Sequence, residues 1–200
     1  PAQTYRGLER LDEIAKNESL FEGAAQFEGP VGERAQAKLE AKKKERAEIF
    51  EKHGITKELC EKYGINFEHL NDGKTAARAL IMHTADQLPP AKEGYTRMFR
   101  GEGPHPGETD DYAIGRWFGR DLDMVAGYPH GPLQNSRIIY IDVPTTSVGS
   151  YHVEDMPEFR GASKVGEYLL PGEVVSQVKE FIRFLKTDTT SDPWNQKAAA

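Results

Sequence analysis

The sequence predicts an α+β fold, because its helical patterns come first and its strand patterns follow. Helical patterns occupy residues 33–52, 56–62 and 74–87, and a double proline at 89–90 closes this half of the chain. From Gly94 onward, runs of β-branched and aromatic residues bounded by glycine and proline are typical of strands. The 200 residues are enough for one ordinary hydrophobic core.

We therefore expect a single domain over residues 33–187. The expected division of the chain is an N-terminal arm, a helical part, a mainly β core and a tail, at residues 1–32, 33–90, 91–187 and 188–200. The arm is weakly patterned, and the tail ends in three alanines that are typical of a vector remnant. Two interpretations of Arg6 in the arm stay open: it enters a cleft of the domain, or the arm packs on the surface.

The helical part carries clear start and stop signals. The pattern at 33–52 is rich in alternating charges, has only a thin apolar stripe, and ends at Gly54, a residue typical of helix C-termini. Asn71 or Asp72 precedes the pattern at 74–87, whose expected buried residues are Ala76, Ala77, Leu80 and Ile81.

Two aromatic residues in the second half of the chain, Trp117 and Tyr128, are candidates for binding a flat ligand. Trp117 ends a short apolar run behind a glycine, and Asp121 is placed to cap a helix that carries Val125 on one side. Tyr128, eleven positions after Trp117, then emerges where its ring faces the indole across a cleft. The alternative is that Trp117 and Phe118 are core residues of a strand-to-helix turn.

The run from Tyr95 to Gly101 predicts a strand that ends in an arginine. Period-two alternation puts Arg100 on the opposite face from Arg97 and Phe99, so only one of the two arginines faces a given cleft. We choose Arg100, because Gly101 lets the backbone come close to a ligand. The alternative is a solvated side chain or a surface ion pair.

Two further strands complete the pattern. Residues 137–144 are nearly continuous in β-branched and aromatic residues, which predicts a strand buried on both faces. In the run 165–171, Glu167 shares a strand face with Leu169, and a carboxylate among apolar residues is costly unless it has a partner or a task. A glutamate in water at the strand mouth is the alternative. Residues 173–185 predict either a long edge strand or a strand that becomes a helix.

Taken in order, the arginine strand, the aromatic strand and helix, the apolar strand and the glutamate strand resemble the ADP-ribosyltransferase superfamily over about residues 96–173. The resemblance implies a split β-sheet core, preceded here by the helical N-terminal part. It implies that NAD is bound as a substrate without a metal. Glu167 and Arg100 correspond to catalytic residues of the family. The residues that correspond to its NAD-binding positions are Arg100, Gly101, Trp117, Phe118 and Tyr128.

The implied activity is that of a monomeric bacterial toxin or secreted effector that transfers ADP-ribose from NAD to a host protein in the host cytoplasm. The chain also departs from the family. Val165 stands where arginine-modifying toxins carry Glu or Gln, and Trp117-Phe118-Gly119 stands where those toxins have Ser-Thr-Ser. Two alternatives therefore stay open: a catalytically inactive effector that acts by protein binding, and an NAD glycohydrolase.

Composition argues against several other classes. A net charge of −6 without a basic stripe argues against nucleic-acid and anionic-membrane binding. No apolar run approaches the roughly eighteen residues of a membrane span. The lone Cys60 allows no disulfide within the chain, and the histidines show no HxxxH spacing, so no metal site is expected.

Overall fold

A computed structural model of the protein describes residues 1–102, 117–126, 137–153 and 166–187. Its strands are β1 (Gln3–Arg6), β2 (Tyr95–Glu102), β3 (Trp117–Gly119), β4 (Arg137–Pro144), β5 (Glu167–Leu169) and β6 (Lys179–Leu185). Its α-helices are α1 (Arg10–Ala25), α2 (Pro30–His53), α3 (Lys57–Lys62), α4 (Gly73–Asp86), α5 (Leu122–Ala126) and α6 (Gly172–Val175). Short 3₁₀ helices cover Phe67–His69 and Thr145–Tyr151.

The strands form one mixed sheet in the order β1-β6-β4-β2-β3-β5. Only the β1–β6 pair among these is parallel; the other neighbours are antiparallel. Helices come mostly before the sheet strands in the chain, so the predicted α+β class is confirmed.

Strand β4 lies at the centre of the hydrophobic packing. Ile138 and Tyr140 belong to a cluster with residues of α3, α4 and β6, whereas Ile139 and Ile141 belong to a second cluster with Met98. Because successive side chains of a strand point to opposite faces, each cluster covers one face of the sheet. The prediction of a strand buried on both faces is confirmed.

The three predicted helices at 33–52, 56–62 and 74–87 correspond to α2, α3 and α4, although α2 begins three residues earlier than predicted. The Asp72 side chain accepts a hydrogen bond from Thr75 N at 2.7 Å and caps α4. Gly54 ends α2 with φ of 67°, a left-handed conformation that favours glycine. Residues 1–32, in contrast, were expected to form an arm, but they contain the sixteen-residue helix α1, which was not predicted, and the start of α2. Residues 3–6 pair with β6 as strand β1, and Leu8 and Leu11 are buried in the main cluster.

Two consequences follow from the position of β1. Arg6 lies on the outer strand of the sheet, at the opposite edge from β5, and its Nη1 donates to Lys186 O. The interpretation that Arg6 enters a cleft of the domain is therefore wrong. Strand β6 lies between β1 and β4, so the expectation of an edge strand over 173–185 is wrong. The alternative of a strand that becomes a helix is also wrong, because the helix comes first.

Candidate functional site

Strands β2, β3 and β5 and helix α5 border one small pocket, with a cavity volume of about 90 Å³. Five of the residues singled out in the sequence line it, although they come from three separate segments. These are Arg100, Gly101, Trp117, Phe118 and Glu167. The remaining lining residues are Phe99, Gly119, Met124, Val125 and Gly166.

The strand register explains why the glutamate reaches this pocket. Phe99 pairs with Gly119 across β2 and β3, and Gly119 pairs with Glu167 across β3 and β5. Paired residues of neighbouring strands share a face of the sheet. Phe99, Gly119 and Glu167 therefore form a row on one face, and Trp117 stands on that face two positions away.

Gly119 makes room in the middle of this row. A Cβ atom there would lie 3.1 Å from Val125 Cγ2, so helix α5 packs directly on the strand backbone. Asp121 Oδ1 accepts from Asp123 N at 2.9 Å and caps α5, as predicted. Arg78 of α4 holds Asp123 at 2.6 Å, which fixes α5 against the body of the protein.

Glu167 is a partly buried carboxylate in apolar surroundings. Its Oε2 atom is buried, and the side chains around the cavity include those of Phe99, Trp117 and Met124. Gly166 precedes it with φ of 78°, a backbone conformation that glycine adopts without strain. The strand can thus begin at Glu167 with its side chain at the cavity.

Arg100 is held by contacts on both sides. Its Nη1 donates to Trp117 O at 3.0 Å, and its Nε lies 3.4 Å from Glu102 Oε1. Glu102 is only 3% exposed and also accepts from Arg137 Nε at 2.8 Å. Strand alternation puts the Arg100 side chain on the opposite face from Glu167. The structure thus brings both residues to one cavity, while their charged groups belong to opposite faces of the sheet.

Arg97 behaves differently, as alternation predicts. It forms a two-pronged ion pair with Asp142, at 2.7 and 2.8 Å, and its guanidinium lies over the Tyr140 ring. The hydrogen bond to Asp142 raises the pKa of Arg97. Arg97 is thereby engaged in the body of the domain and is absent from the lining of the pocket.

Some site features lie outside the described residues or were not predicted. Tyr128, the expected second ring, and Val165 both fall outside the described ranges. Phe99 was not selected from the sequence, because only the β2–β3 register brings it beside Gly119 and Glu167. The glycine before Glu167 was a usable signal for the start of the strand.

The described part of the chain has neither a cluster of metal-ligand residues nor a helix suited to span a membrane. No three residues among its His, Cys, Asp and Glu cluster as metal ligands would. None of its helices is both long and apolar enough to cross a bilayer. Cys60 is buried in the main hydrophobic cluster, and this burial raises the pKa of its thiol, which opposes a nucleophilic role.

Comparison with protein-family models, with curated proteins and with solved structures finds no match to this chain. The function is therefore inferred from the chemistry of the pocket and from the residues of the chain itself.

Proposed function

We propose that the protein binds NAD at this pocket and transfers its ADP-ribose group to a protein acceptor, as a mono-ADP-ribosyltransferase of the toxin or effector type. One observation carries the proposal. The segments at 100–101, 117–118 and 167 were selected in the sequence by resemblance to that superfamily, and they line a single cavity. Arg100 and Glu167 stand 67 positions apart in the chain, so no local pattern requires them to share a cavity.

The cavity suits one end of NAD. Pockets that bury a whole drug-sized ligand have volumes of about 300 to 1,000 Å³. The cavity of about 90 Å³ is much smaller, so it suits a single ring while the rest of the dinucleotide lies outside. The nicotinamide ring of NAD is a flat cation, and Trp117 and Phe99 with the Glu167 carboxylate are groups that attract such a ring.

The proposed reaction uses the Glu167 carboxylate. The bond between the nicotinamide nitrogen and ribose C1 breaks, its electron pair neutralises the ring, and positive charge develops on the ribose. Glu167 accepts a hydrogen bond from a ribose hydroxyl and stabilises that charge, in surroundings with few competing waters. A nucleophilic group of the acceptor then attacks C1 and loses its proton.

Arg100 lines the same cavity and corresponds to the family's arginine, but strand alternation places its guanidinium on the opposite face of the sheet from Glu167. It is held there by Trp117 O and Glu102, so we assign it a structural role and leave it out of the proposed contacts with NAD. Phe118 is buried on the other face and supports β3.

A second candidate function is a catalytically inactive member of the same fold that acts by binding another protein. Gly119, the residue paired with Glu167, offers no hydroxyl group to orient the carboxylate, and this favours the second candidate. NAD hydrolysis is the third candidate, since it differs only in using water as the nucleophile.

Calorimetry with NAD and an assay for nicotinamide release test these candidates together. We expect Glu167→Gln to keep NAD affinity and to lower nicotinamide release at least about a hundredfold, since glutamine keeps the shape and loses the charge. Glu173→Gln, an exposed glutamate of α6 outside the cavity, is the matched control and should leave both quantities unchanged.

The outcomes separate the candidates. Release that requires an acceptor protein supports the transferase, and equal release without one supports the hydrolase. Binding without release supports the inactive member. No heat of binding at millimolar NAD overturns the proposed NAD site.

A further inference from the structure

Helices α1 and α2 form a hairpin whose far end exposes large apolar side chains. We call residues 18–40, which contain this end, the hairpin tip. Leu20, Phe27 and Val31 are 67%, 66% and 62% exposed. Among the described residues, these three are more exposed than any other large hydrophobic residue. The three fall within twelve consecutive residues, in the second half of α1, in the connection and in the first turn of α2. Exposed apolar residues concentrated in one part of a protein are typical of an interaction surface, whereas isolated ones are not.

The tip lies beyond the core of the domain. Leu11 of α1 and Phe50 of α2 belong to the main hydrophobic cluster, at the base of the hairpin. Farther along, Ile14, Ala35 and Leu39 are buried but belong to neither described cluster. In the described ranges, nothing from the sheet covers the exposed side chains of the tip.

The backbone at the tip is closely packed. Gly29 has φ of 81°, and a Cβ atom on Gly32 would lie 1.8 Å from the carbonyl oxygen of Phe27. The loop therefore rests directly on the first turn of α2. An ion pair of 2.6 Å joins Arg46 to Glu18, whose side chain is only 9% exposed, and ties the two helices together. A partner would thus meet a preformed backbone, which lowers the entropic cost of binding.

The charge around these apolar side chains is negative. Glu22, Glu28 and Glu33 are exposed and form no ion pair with any described residue. Residues 18–40 contain five glutamates against one arginine and one lysine. A groove of about 550 Å³ runs beside Phe27, with Gly32 and Ala37 among its small lining residues and Glu33 and Glu40 among its acidic ones.

We propose that the hairpin tip is a docking site for a basic amphipathic segment of another protein, one that presents apolar residues flanked by Lys or Arg. The apolar residues of the segment would cover Leu20, Phe27 and Val31, and its cations would meet the unpaired glutamates. This inference rests on the hairpin alone and is independent of the NAD pocket.

Two other occupants fit less well. A second copy of the chain would bring another acidic tip, and like charges oppose that contact. The lysines at 42–44 of α2 offer it little, because they already pair with glutamates of the same helix. An anionic lipid surface would repel the acidic rim for the same reason.

The test is a fluorescence-anisotropy titration of the full chain with a labelled synthetic helical peptide of leucine and lysine. The matched control peptide carries Glu in place of each Lys. We expect binding of the basic peptide only, weakened at least about tenfold by Phe27→Ser with Val31→Ser. Glu28→Lys with Glu33→Lys should weaken binding by a similar factor and reduce its dependence on salt. Tyr95→Ser, which alters an apolar residue that is 39% exposed elsewhere, should stay within about twofold of the unchanged protein.

Several results would overturn the proposal. Equal binding of both peptides would show that charge does not select the partner. Unchanged binding by the Phe27/Val31 variant would show that the hairpin tip is not the binding site. Sedimentation that shows a dimer dissolved by the same variant would assign the tip to a second copy. Cosedimentation with phosphatidylserine vesicles, lost in that variant, would assign it to a membrane. Melting temperatures of all variants should match the unchanged protein, because the altered side chains are exposed.

Discussion

The body of the sheet, strands β1, β6, β4 and β2, is built differently from its pocket end, strands β3 and β5. Strands β2 and β4 pair along eight positions, from Tyr95 with Pro144 to Glu102 with Arg137. The contact between β2 and β3, in contrast, has a single pair, and β3 and β5 have three residues each. The body of the sheet contains side chains with no exposure, such as Phe184 and Ile138, whereas all three residues of β5 are partly exposed.

This difference teaches where stability and chemistry reside in the molecule. The larger of the two hydrophobic clusters joins the long paired strands to α4 and the other N-terminal helices, and burial of such apolar surface is the main favourable term in folding. The short strands β3 and β5 contribute no buried residue to that larger cluster, and together with α5 they border the pocket. Binding sites commonly lie on less stable segments that a rigid scaffold positions. Changes in the body should therefore alter stability, and changes at the pocket end should alter ligand binding.

The largest expected effect is the loss of stability when a buried side chain is removed from the body of the sheet. Phe184→Ala removes a fully buried ring of β6 that stacks near Tyr5, and should lower the free energy of unfolding by about 3 to 5 kcal/mol. Met124→Ala at the pocket, where the side chain is 45% exposed, should change it by less than about 0.5 kcal/mol. Urea denaturation followed by circular dichroism measures both. Similar losses of unfolding free energy in the two variants would show that stability does not reside mainly in the body of the sheet.

A smaller effect on stability is expected where β3 meets α5. Gly119→Ala puts a methyl group 3.1 Å from Val125 Cγ2, so α5 must shift by a few tenths of an ångström, at a cost of about 1 kcal/mol. The same shift narrows the pocket, so NAD affinity should fall at least about tenfold. Gly149→Ala, whose added methyl group meets open space, is the matched control. NAD titrations of the unchanged protein and of the Gly119 and Gly149 variants measure the affinities. Unchanged NAD affinity in the Gly119 variant would contradict the expected narrowing of the pocket.

The smallest expected effect is a pH dependence of stability at β1, the outer strand of the body. Burial lowers the pKa of His53, which donates from Nε2 to Arg6 O at 2.9 Å and contacts the Tyr5 ring edge-on. The unfolded chain therefore binds a proton more readily than the folded one. Stability from this contact is present above the unfolded pKa of about 6.5 and is lost as the pH falls through the lower folded value.

Thermal unfolding between pH 8 and pH 5 measures this dependence. The melting temperature should decline below about pH 6.5, and His53→Gln, which keeps an N–H donor without a titrating ring, should flatten the decline. A decline of the same size in both proteins would show that β1 is held without a contribution from His53.

Local signals in the sequence determined much of the framework. The strand at 137–144 was predicted with the bounds that the structure has, because the run is nearly continuous in β-branched and aromatic residues and ends at a proline. The cap at Asp121 was predicted, and the cap of α4 was narrowed to Asn71 or Asp72, because a capping side chain acts within three residues of its own position. The opposite orientations of Arg97 and Arg100 followed from strand alternation alone.

Only the tertiary structure decided which strands are neighbours. Strand β1 has four residues, too few for a periodic pattern, and it becomes a strand by pairing Gln3 with Ile182 at the far end of the chain. In the same way, the row of Phe99, Gly119 and Glu167 depends on a register between three distant segments. Such pairings depend on the packing of the whole domain, and no short stretch of residues encodes them.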